Sequence, residues 1–101
     1  MAYGFRGEFN LKLERFQDTI ADFTKALELL PIDPLASHNR GLALLKLNKP
    51  HEALEDFNRA IIVVGHFGEW YQNRSLAYRA LGKIKEADAD LATANKLLSE
   101  E

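Results

Sequence analysis

The fold is decided by residues 34–64, which read PLASHNRGLALLKLNKPHEALEDFNRAIIVV. Apolar side chains recur in this segment at intervals of three, four or seven residues, as at Leu54, Phe57 and Ile61. This spacing is the period of one helical face and not of a strand. Proline is tolerated in the first turn of a helix, so Pro50 marks a helix start. The segment therefore predicts two helices joined just before Pro50.

The same pattern occurs three times along the 101 residues, at a constant spacing of 34. The residues that mark it are Arg6, Arg40 and Arg74; Asp22, Asp56 and Asp90; and Ala26, Ala60 and Ala94. A unit of this length cannot bury its apolar face alone, so neighbouring units stack into one continuous core. Three units account for the whole length, and we expect a single domain.

Helix breakers divide the chain into six predicted helices and no strand. We place the helices at 2–13, 17–30, 34–47, 51–64, 69–81 and 84–98. Asp33 offers an N-cap ahead of Pro34, and Gly65 and Gly82 are suited to helix ends. The sequence therefore predicts an all-α fold built from three antiparallel helix hairpins.

These units resemble the tetratricopeptide repeat (TPR), whose signature is W-x2-L-G-x2-Y, then A-x3-F, then P, over 34 residues. The matching residues are Gly7, Phe23, Ala26 and Pro31 in the first unit, Gly41, Ala53, Phe57 and Ala60 in the second, and Tyr78, Ala87, Leu91 and Ala94 in the third. The departures are Thr19, Gly65, Ser75 and Ser99. The resemblance implies a right-handed α-α superhelix, a TPR-like solenoid, forming one domain over 1–101 with repeats at about 1–33, 34–67 and 68–101.

A second departure from the family is the repeated arginine, which stands where leucine is usual. An aspartate follows each arginine by sixteen residues, and the two positions lie opposite each other in a hairpin that turns near its residue 15. The predicted pairs are Arg6 with Asp22, Arg40 with Asp56, and Arg74 with Asp90. The alternative is that each charge is merely solvated, since exposed ion pairs contribute only about 0–1 kcal/mol.

Composition and charge exclude several classes of function. The formal net charge is −2, with cations and acids mixed throughout, which gives no electrostatic footprint for nucleic acid or for an anionic membrane. There is no cysteine, which suits a reducing compartment, and no apolar run of transmembrane length. We expect a cytoplasmic protein that binds neither nucleic acid nor membrane.

Catalytic and metal sites are not predicted. His38, His51 and His66 lack the spacing and the neighbouring acids of a metal site, and structural or solvent roles are favoured for all three. The glycines of residues 65–68 follow no strand and precede no Gly-Lys-Ser/Thr, so they suit a turn better than a phosphate loop. We expect a protein that is not an enzyme and has no cofactor.

The resemblance implies a concave groove lined by the first helix of each hairpin. The predicted peptide-binding residues are Lys12, His38, Asn39, Leu42, Leu45, Lys46, Gln72, Asn73, Leu76 and Arg79. Asn39 and Asn73 share one repeat position, and their carboxamides carry both donors and acceptors for the backbone of an extended peptide. The three basic residues favour an acidic residue in the ligand. The competing interpretation is that the leucines belong to the core and the lysines are simply solvated.

One known ligand of the family is disfavoured by the sequence. Co-chaperone members hold the C-terminal carboxylate of heat-shock proteins with Lys and Asn on the first unit, Asn on the second, and Lys and Arg on the third. Those places hold Gly4, Glu8, Asn39, Glu69 and Asn73 here, so only Asn39 matches. The two glutamates would repel a carboxylate, and we predict that a chaperone C-terminal tail is disfavoured.

Two functions follow from these observations. The first is a noncatalytic scaffold or adaptor that binds a peptide segment of a protein partner in the groove. The alternative is a self-association element, in which an aromatic first helix and the apolar run 62–64 pack a homo-oligomer or stack on further repeats. In the last helix, Asp88 and Asn95 replace apolar residues of the earlier units and make one face polar.

Overall fold

The structure is a computed structural model that describes residues 15–100 and, within them, five helices and no strand. The helices are α1 (Phe16–Leu29), α2 (Pro34–Lys46), α3 (Pro50–Val63), α4 (Gly68–Ala80) and α5 (Ile84–Ser99). The all-α prediction is confirmed, with five helices in place of the six expected. The predicted helix at 2–13, and with it the arginine of the pair Arg6–Asp22, lies outside the described residues.

Local sequence explains where α2 and α3 begin. The Asp33 carboxylate caps α2 by accepting a hydrogen bond from the Ala36 N–H at 3.2 Å, and Pro34 follows as the first helical residue. Pro50 is likewise the first residue of α3, although the preceding Lys49 makes no side-chain cap hydrogen bond. Proline costs nothing at such a position, because the first N–H groups of a helix have no partner within it.

The two turns within the hairpins are equivalent positions 34 residues apart. Asn48 and Gly82 both adopt the left-handed conformation, with φ of 60° and 75°. In each turn the next residue donates its N–H to a carbonyl of the preceding helix, that of Leu44 at 2.9 Å and that of Tyr78 at 2.8 Å. Glycine and asparagine are the residues that accept this conformation most readily, so the turns follow from sequence.

The hairpins stack in sequence order. The most extensive contacts are within the pairs α2–α3 and α4–α5, α1 packs on α2, α3 packs on α4, and α2 also contacts α4. The core is built around Leu44, Ala53, Phe57 and Ala77, which are buried. A Cβ atom at Gly41 would lie 2.8 Å from the Phe57 ring, so only glycine permits this close crossing of α2 and α3.

Two of the predicted arginine–aspartate pairs are confirmed. Arg40 donates from Nε and Nη2 to the Asp56 carboxylate at 2.7 and 2.8 Å, and Arg74 does the same to Asp90 at 2.8 and 2.7 Å. Both aspartates are buried. The hydrogen bonds raise the pKa of both arginines, against the opposing effect of burial, so both stay charged.

Each of these arginines also reaches the hairpin before its own. The Arg40 Nη1 group donates to Thr24 Oγ1 at 3.3 Å, and the Arg74 Nη1 group donates to Asn58 Oδ1 at 3.1 Å. Thr24 and Asn58 occupy the same repeat position. Arg40 of α2 therefore links α3 to α1, and Arg74 of α4 links α5 to α3.

The polar face predicted for the last helix is present, since Asp88 and Asn95 are both exposed on α5. No helix among residues 15–100 is long and apolar enough to cross a membrane.

Candidate peptide-binding groove

The candidate groove is the surface of α2 and α4, the first helices of two successive hairpins, which contact each other directly. Nine of the ten predicted binding residues lie on these two helices, and Lys12 lies outside the described residues. Three of the nine are exposed and five are half-buried, while His38 is buried. The structure therefore leaves eight of the nine at least partly accessible to solvent and buries His38.

His38 faces the core and not the groove surface. Its side chain is 5% exposed, and its ring stacks on Trp70 at 4.5 Å between centroids and contacts Phe57 at 5.5 Å. Burial lowers the pKa of His38 to about 4, because an apolar environment disfavours the charged imidazolium. The imidazole is therefore neutral at physiological pH and packs as an aromatic core residue.

Asn39 and Asn73, which share a repeat position, have different surroundings. The Asn73 Nδ2 atom lies 3.1 Å from His38 Nε2, so this carboxamide links α4 to the buried imidazole of α2. His38 Nδ1 has no hydrogen-bond partner among the described residues. A carboxamide has two N–H donors and one acceptor oxygen, so Asn73 keeps hydrogen-bonding capacity for a ligand after its contact with His38. Both asparagines are half-buried.

The leucines of the groove divide between core and surface. Leu42 and Leu45 are partly buried and pack against the core cluster, whereas Leu76 on α4 is 53% exposed. Gln72 is half-buried on α4, one turn before Leu76. Leu76 is therefore the exposed apolar side chain among the predicted binding residues, whereas Leu42 and Leu45 contribute to the core.

Two basic residues stand at the C-terminal ends of the groove helices. Lys46 is exposed at the end of α2 and enters no ion pair in the described part of the chain. Arg79 is exposed on α4 and donates to Asp88 of α5 at 3.1 Å. Because a partner already offsets the charge of Arg79, Lys46 is the cation more available to a negatively charged ligand.

Trp70 is the residue of this region that the sequence pattern missed. It is 8% exposed, its ring stacks on His38 at 4.5 Å between centroids, and it makes a tilted contact with Phe67 at 4.9 Å. Its counterpart 34 residues earlier is Ala36, so the repeat period gave no signal for a large aromatic residue there. Trp70 fills the space beside the imidazole and so holds α2 and α4 together.

Among residues 15–100, no cluster of three or more histidine, aspartate or glutamate side chains is arranged to hold a metal ion. His51 and His66 are exposed and far apart in sequence from His38. The surface of α2 and α4 offers hydrogen-bonding groups, the exposed apolar side chain of Leu76 and the basic groups of Lys46 and Arg79.

Solved structures with the same fold include domains bound to peptides. The second TPR domain of Spaghetti (RPAP3) bound to the HSP90 peptide SRMEEVD superposes with a TM-score of 0.89 at 29% identity, covering 94% of this chain and 88% of that one. The second TPR domain of human RPAP3, in complex with the HSP70 peptide SGPTIEEVD, gives 0.88 at 29% identity, covering 95% and 80%. The similarity to MamA, with a TM-score of 0.90 at 21% identity over 98% of this chain and 59% of that one, bears on the fold alone.

These structures correct one prediction. The prediction that a chaperone C-terminal tail is disfavoured is wrong, because domains of this fold are bound to HSP90 and HSP70 peptides that end in EEVD. The prediction gave too much weight to Glu8, which lies outside the described residues, and to Glu69. Glu69 is exposed in the first turn of α4, where water screens its charge and the helix dipole offsets it.

Curated relatives agree with the structural similarity. The chain is 38% identical over 84 residues to Hsc70-interacting protein 1 of Drosophila melanogaster, and 36% identical over 83 residues to the TPR repeat-containing thioredoxin TDX of Arabidopsis thaliana. The matched region is 83% and 82% of this chain but only 22% of each relative. The tetratricopeptide repeat family model matches residues 36–61 and 69–97, more than half of the chain. This chain therefore belongs to the tetratricopeptide repeat family.

Proposed function

We propose that this chain is a noncatalytic interaction module that binds a peptide segment of a protein partner along α2 and α4. The single observation that carries the proposal is the combination on this surface of free carboxamide capacity at Asn39 and Asn73, exposed Leu76 and unpaired Lys46. Together they match the backbone, one apolar side chain and one negative charge of an extended peptide.

The proposed ligand class is an acidic peptide with a free C-terminal carboxylate, of the kind that ends in EEVD. The similar domains of RPAP3 were solved with such peptides, and the Drosophila relatives are named for interaction with Hsc70. If the chain binds such a tail, it would act as a scaffold or adaptor for the chaperone that carries the tail. We also propose a cytoplasmic location, in line with the lack of cysteine.

The proposal extends to the first hairpin. Three repeats at about 1–33, 34–67 and 68–101 would form a single domain of six helices, in the right-handed superhelix typical of the family. Lys12 would then stand on the same wall as Lys46 and Arg79, since Lys12 and Lys46 share one repeat position. A third basic residue there would strengthen the preference for an acidic ligand.

The test is fluorescence anisotropy with labelled SRMEEVD, its C-terminal amide and the neutral peptide SRMQQVN. We expect the free acid to bind best, because the amide lacks the terminal charge and the neutral peptide lacks the acidic side chains. Lys46→Glu should weaken binding by about tenfold, since reversing one charge near a charged ligand changes the free energy by about 1.4 kcal/mol. Lys85→Glu is the matched control, because Lys85 is exposed on α5, outside the groove.

Asn39→Ala tests the carboxamide separately. We expect weaker binding with little change in stability, because Asn39 is half-buried and its loss leaves the Asn73–His38 contact intact. Equal affinity of all three peptides, or equal effects of Lys46→Glu and Lys85→Glu, would refute the proposed groove.

A further inference from the structure

Exposed apolar side chains are concentrated along one edge of the molecule. Of nine large apolar side chains that are exposed in the described region, seven lie beside the two turns that join successive hairpins. Leu29, Leu30, Ile32 and Leu35 surround the α1–α2 turn, and Ile62, Val63 and Phe67 surround the α3–α4 turn. Single exposed apolar residues are ordinary in soluble proteins, but such a cluster marks a binding surface. We call these seven residues the turn edge.

The two clusters of the turn edge are continuous. Ile32 from the first cluster and Ile62 with Val63 from the second line one shallow cavity of about 270 Å³, together with residues that include Asp33 and Arg59. Ile32 and Ile62 are 74% and 83% exposed on this surface. The cavity is therefore a largely apolar recess with projecting aliphatic side chains beside it.

We propose that the turn edge binds a second copy of this chain. Counting about 100 Å² of apolar surface for each strongly exposed side chain, the seven present about 700 Å², close to the roughly 800 Å² per partner of a standard interface. A two-fold axis would place the first cluster of one protomer on the second cluster of the other, and the reverse. The contact between a first cluster and a second cluster would be formed twice in the dimer, and it would bury both clusters of each protomer.

Charge also favours a second copy over a strongly charged partner. The cavity is lined by Asp33, which caps α2, and by Arg59, which already pairs with Asp56 and Glu55. The cavity therefore presents no single-sign field that would attract a highly basic or acidic partner, whereas a second apolar turn edge needs no such field.

The third unit limits the turn edge. Lys96 and Glu100 stand where Ile62 and His66 stand one repeat earlier, and both are exposed. The apolar surface therefore ends after the second cluster. If each cluster of one protomer pairs with one cluster of the other within a single two-fold contact, the assembly closes as a dimer and does not extend into a filament.

Sedimentation velocity from about 1 µM to about 300 µM tests the proposal, over the range where weak homodimers dissociate. We expect the average mass to rise from monomer to dimer. The double variant Ile32→Lys, Ile62→Lys should stay monomeric throughout, because two like charges would face each other across the axis. Both sites are so exposed that circular dichroism and thermal unfolding should not change.

Leu76→Lys is the matched control, because Leu76 is an exposed leucine on the groove and not on the turn edge. It should dimerise as the unchanged protein does. A protein that is monomeric at every concentration would overturn the proposal, and so would a dimer that survives the double variant or is lost in Leu76→Lys. The double variant should keep its affinity for SRMEEVD, so failure of this proposal and failure of the groove are distinguishable.

Discussion

Acidification should destabilise this protein through a single buried histidine. His38 is stacked on Trp70 and contacts Phe57 and Asn73, with no charged group among these contacts. Its pKa falls from 6.5 to about 4 on folding, mainly because burial disfavours the imidazolium. Between these two values the unfolded chain binds a proton that the folded chain does not. The free energy of unfolding is therefore fully retained above pH 6.5 and decreases as the pH falls towards 4.

The size of the effect follows from the displacement of the pKa. One pKa unit corresponds to 1.36 kcal/mol, so a displacement of this size corresponds to about 3 kcal/mol over the whole range. About 2 kcal/mol of that loss falls between pH 7 and pH 5, where ordinary aspartates and glutamates remain ionised. For a domain stable by roughly 5–15 kcal/mol, this is a large fraction.

Urea unfolding at pH 7, 6 and 5, followed by circular dichroism, measures the loss. His38→Gln should be less stable at pH 7 because it disturbs the aromatic core, but its stability should change little between pH 7 and pH 5. His51→Gln should keep the full pH dependence, because His51 is exposed on α3. The same pH dependence in His38→Gln as in the unchanged protein would refute the argument, as would an NMR titration of His38 near 6.5.

Four further variants follow from the packing, each measured by urea unfolding. Arg74→Leu should lower the free energy of unfolding by about 3–5 kcal/mol, because it leaves Asp90 buried without its counter-ion. Arg40→Leu should lower it clearly less, because Arg59 also pairs with Asp56 at 2.9 Å and remains as its counter-ion. Equal losses in the two variants would contradict this. Gly41→Ala should cost about 1–3 kcal/mol, because the new methyl group meets the buried ring of α3 at 2.8 Å, and an unchanged midpoint would exclude that clash. Gly82→Ala should lower the free energy of unfolding by about 1 kcal/mol, because φ is 75° and an alanine is strained in this conformation. Steric contact plays no part, since nothing lies within 4 Å of the new atom. A stabilised variant would show that this strain is absent.

The architecture could be predicted from sequence because it depends on local signals that recur. Helix starts at Asp33–Pro34 and Pro50, and a left-handed turn at Gly82, are each set by residues close together in the chain. The arginine–aspartate pairs could be predicted for the same reason, since hairpin geometry alone brings residues sixteen apart together. The 34-residue period and the hairpin geometry were sufficient to predict both the helical architecture and the arginine–aspartate pairs.

The candidate site could be predicted only in part, because it depends on differences between repeats. His38 and Gln72 occupy one repeat position, yet only the histidine is buried, because Trp70 of the following hairpin stacks on it. The Asn73 carboxamide contacts the same imidazole at 3.1 Å, which is a further contact between these two hairpins. A period describes what the units share, so it gives no information on a contact made by one unit alone.

The polar links between hairpins connect the fold to the groove. Where the family usually has an apolar leucine, Arg74 forms two hydrogen bonds to Asp90 and a third to Asn58 of the previous hairpin. Hydrogen bonds require defined distances and angles, whereas apolar contacts tolerate sliding, so these links fix the stacking of one hairpin on the next more closely than leucine would. Since Asn73 is adjacent to Arg74 on α4, the same links fix its distance from Asn39 on α2. A peptide that binds the proposed groove would therefore meet a surface that is already ordered, so less binding free energy would be lost to ordering it.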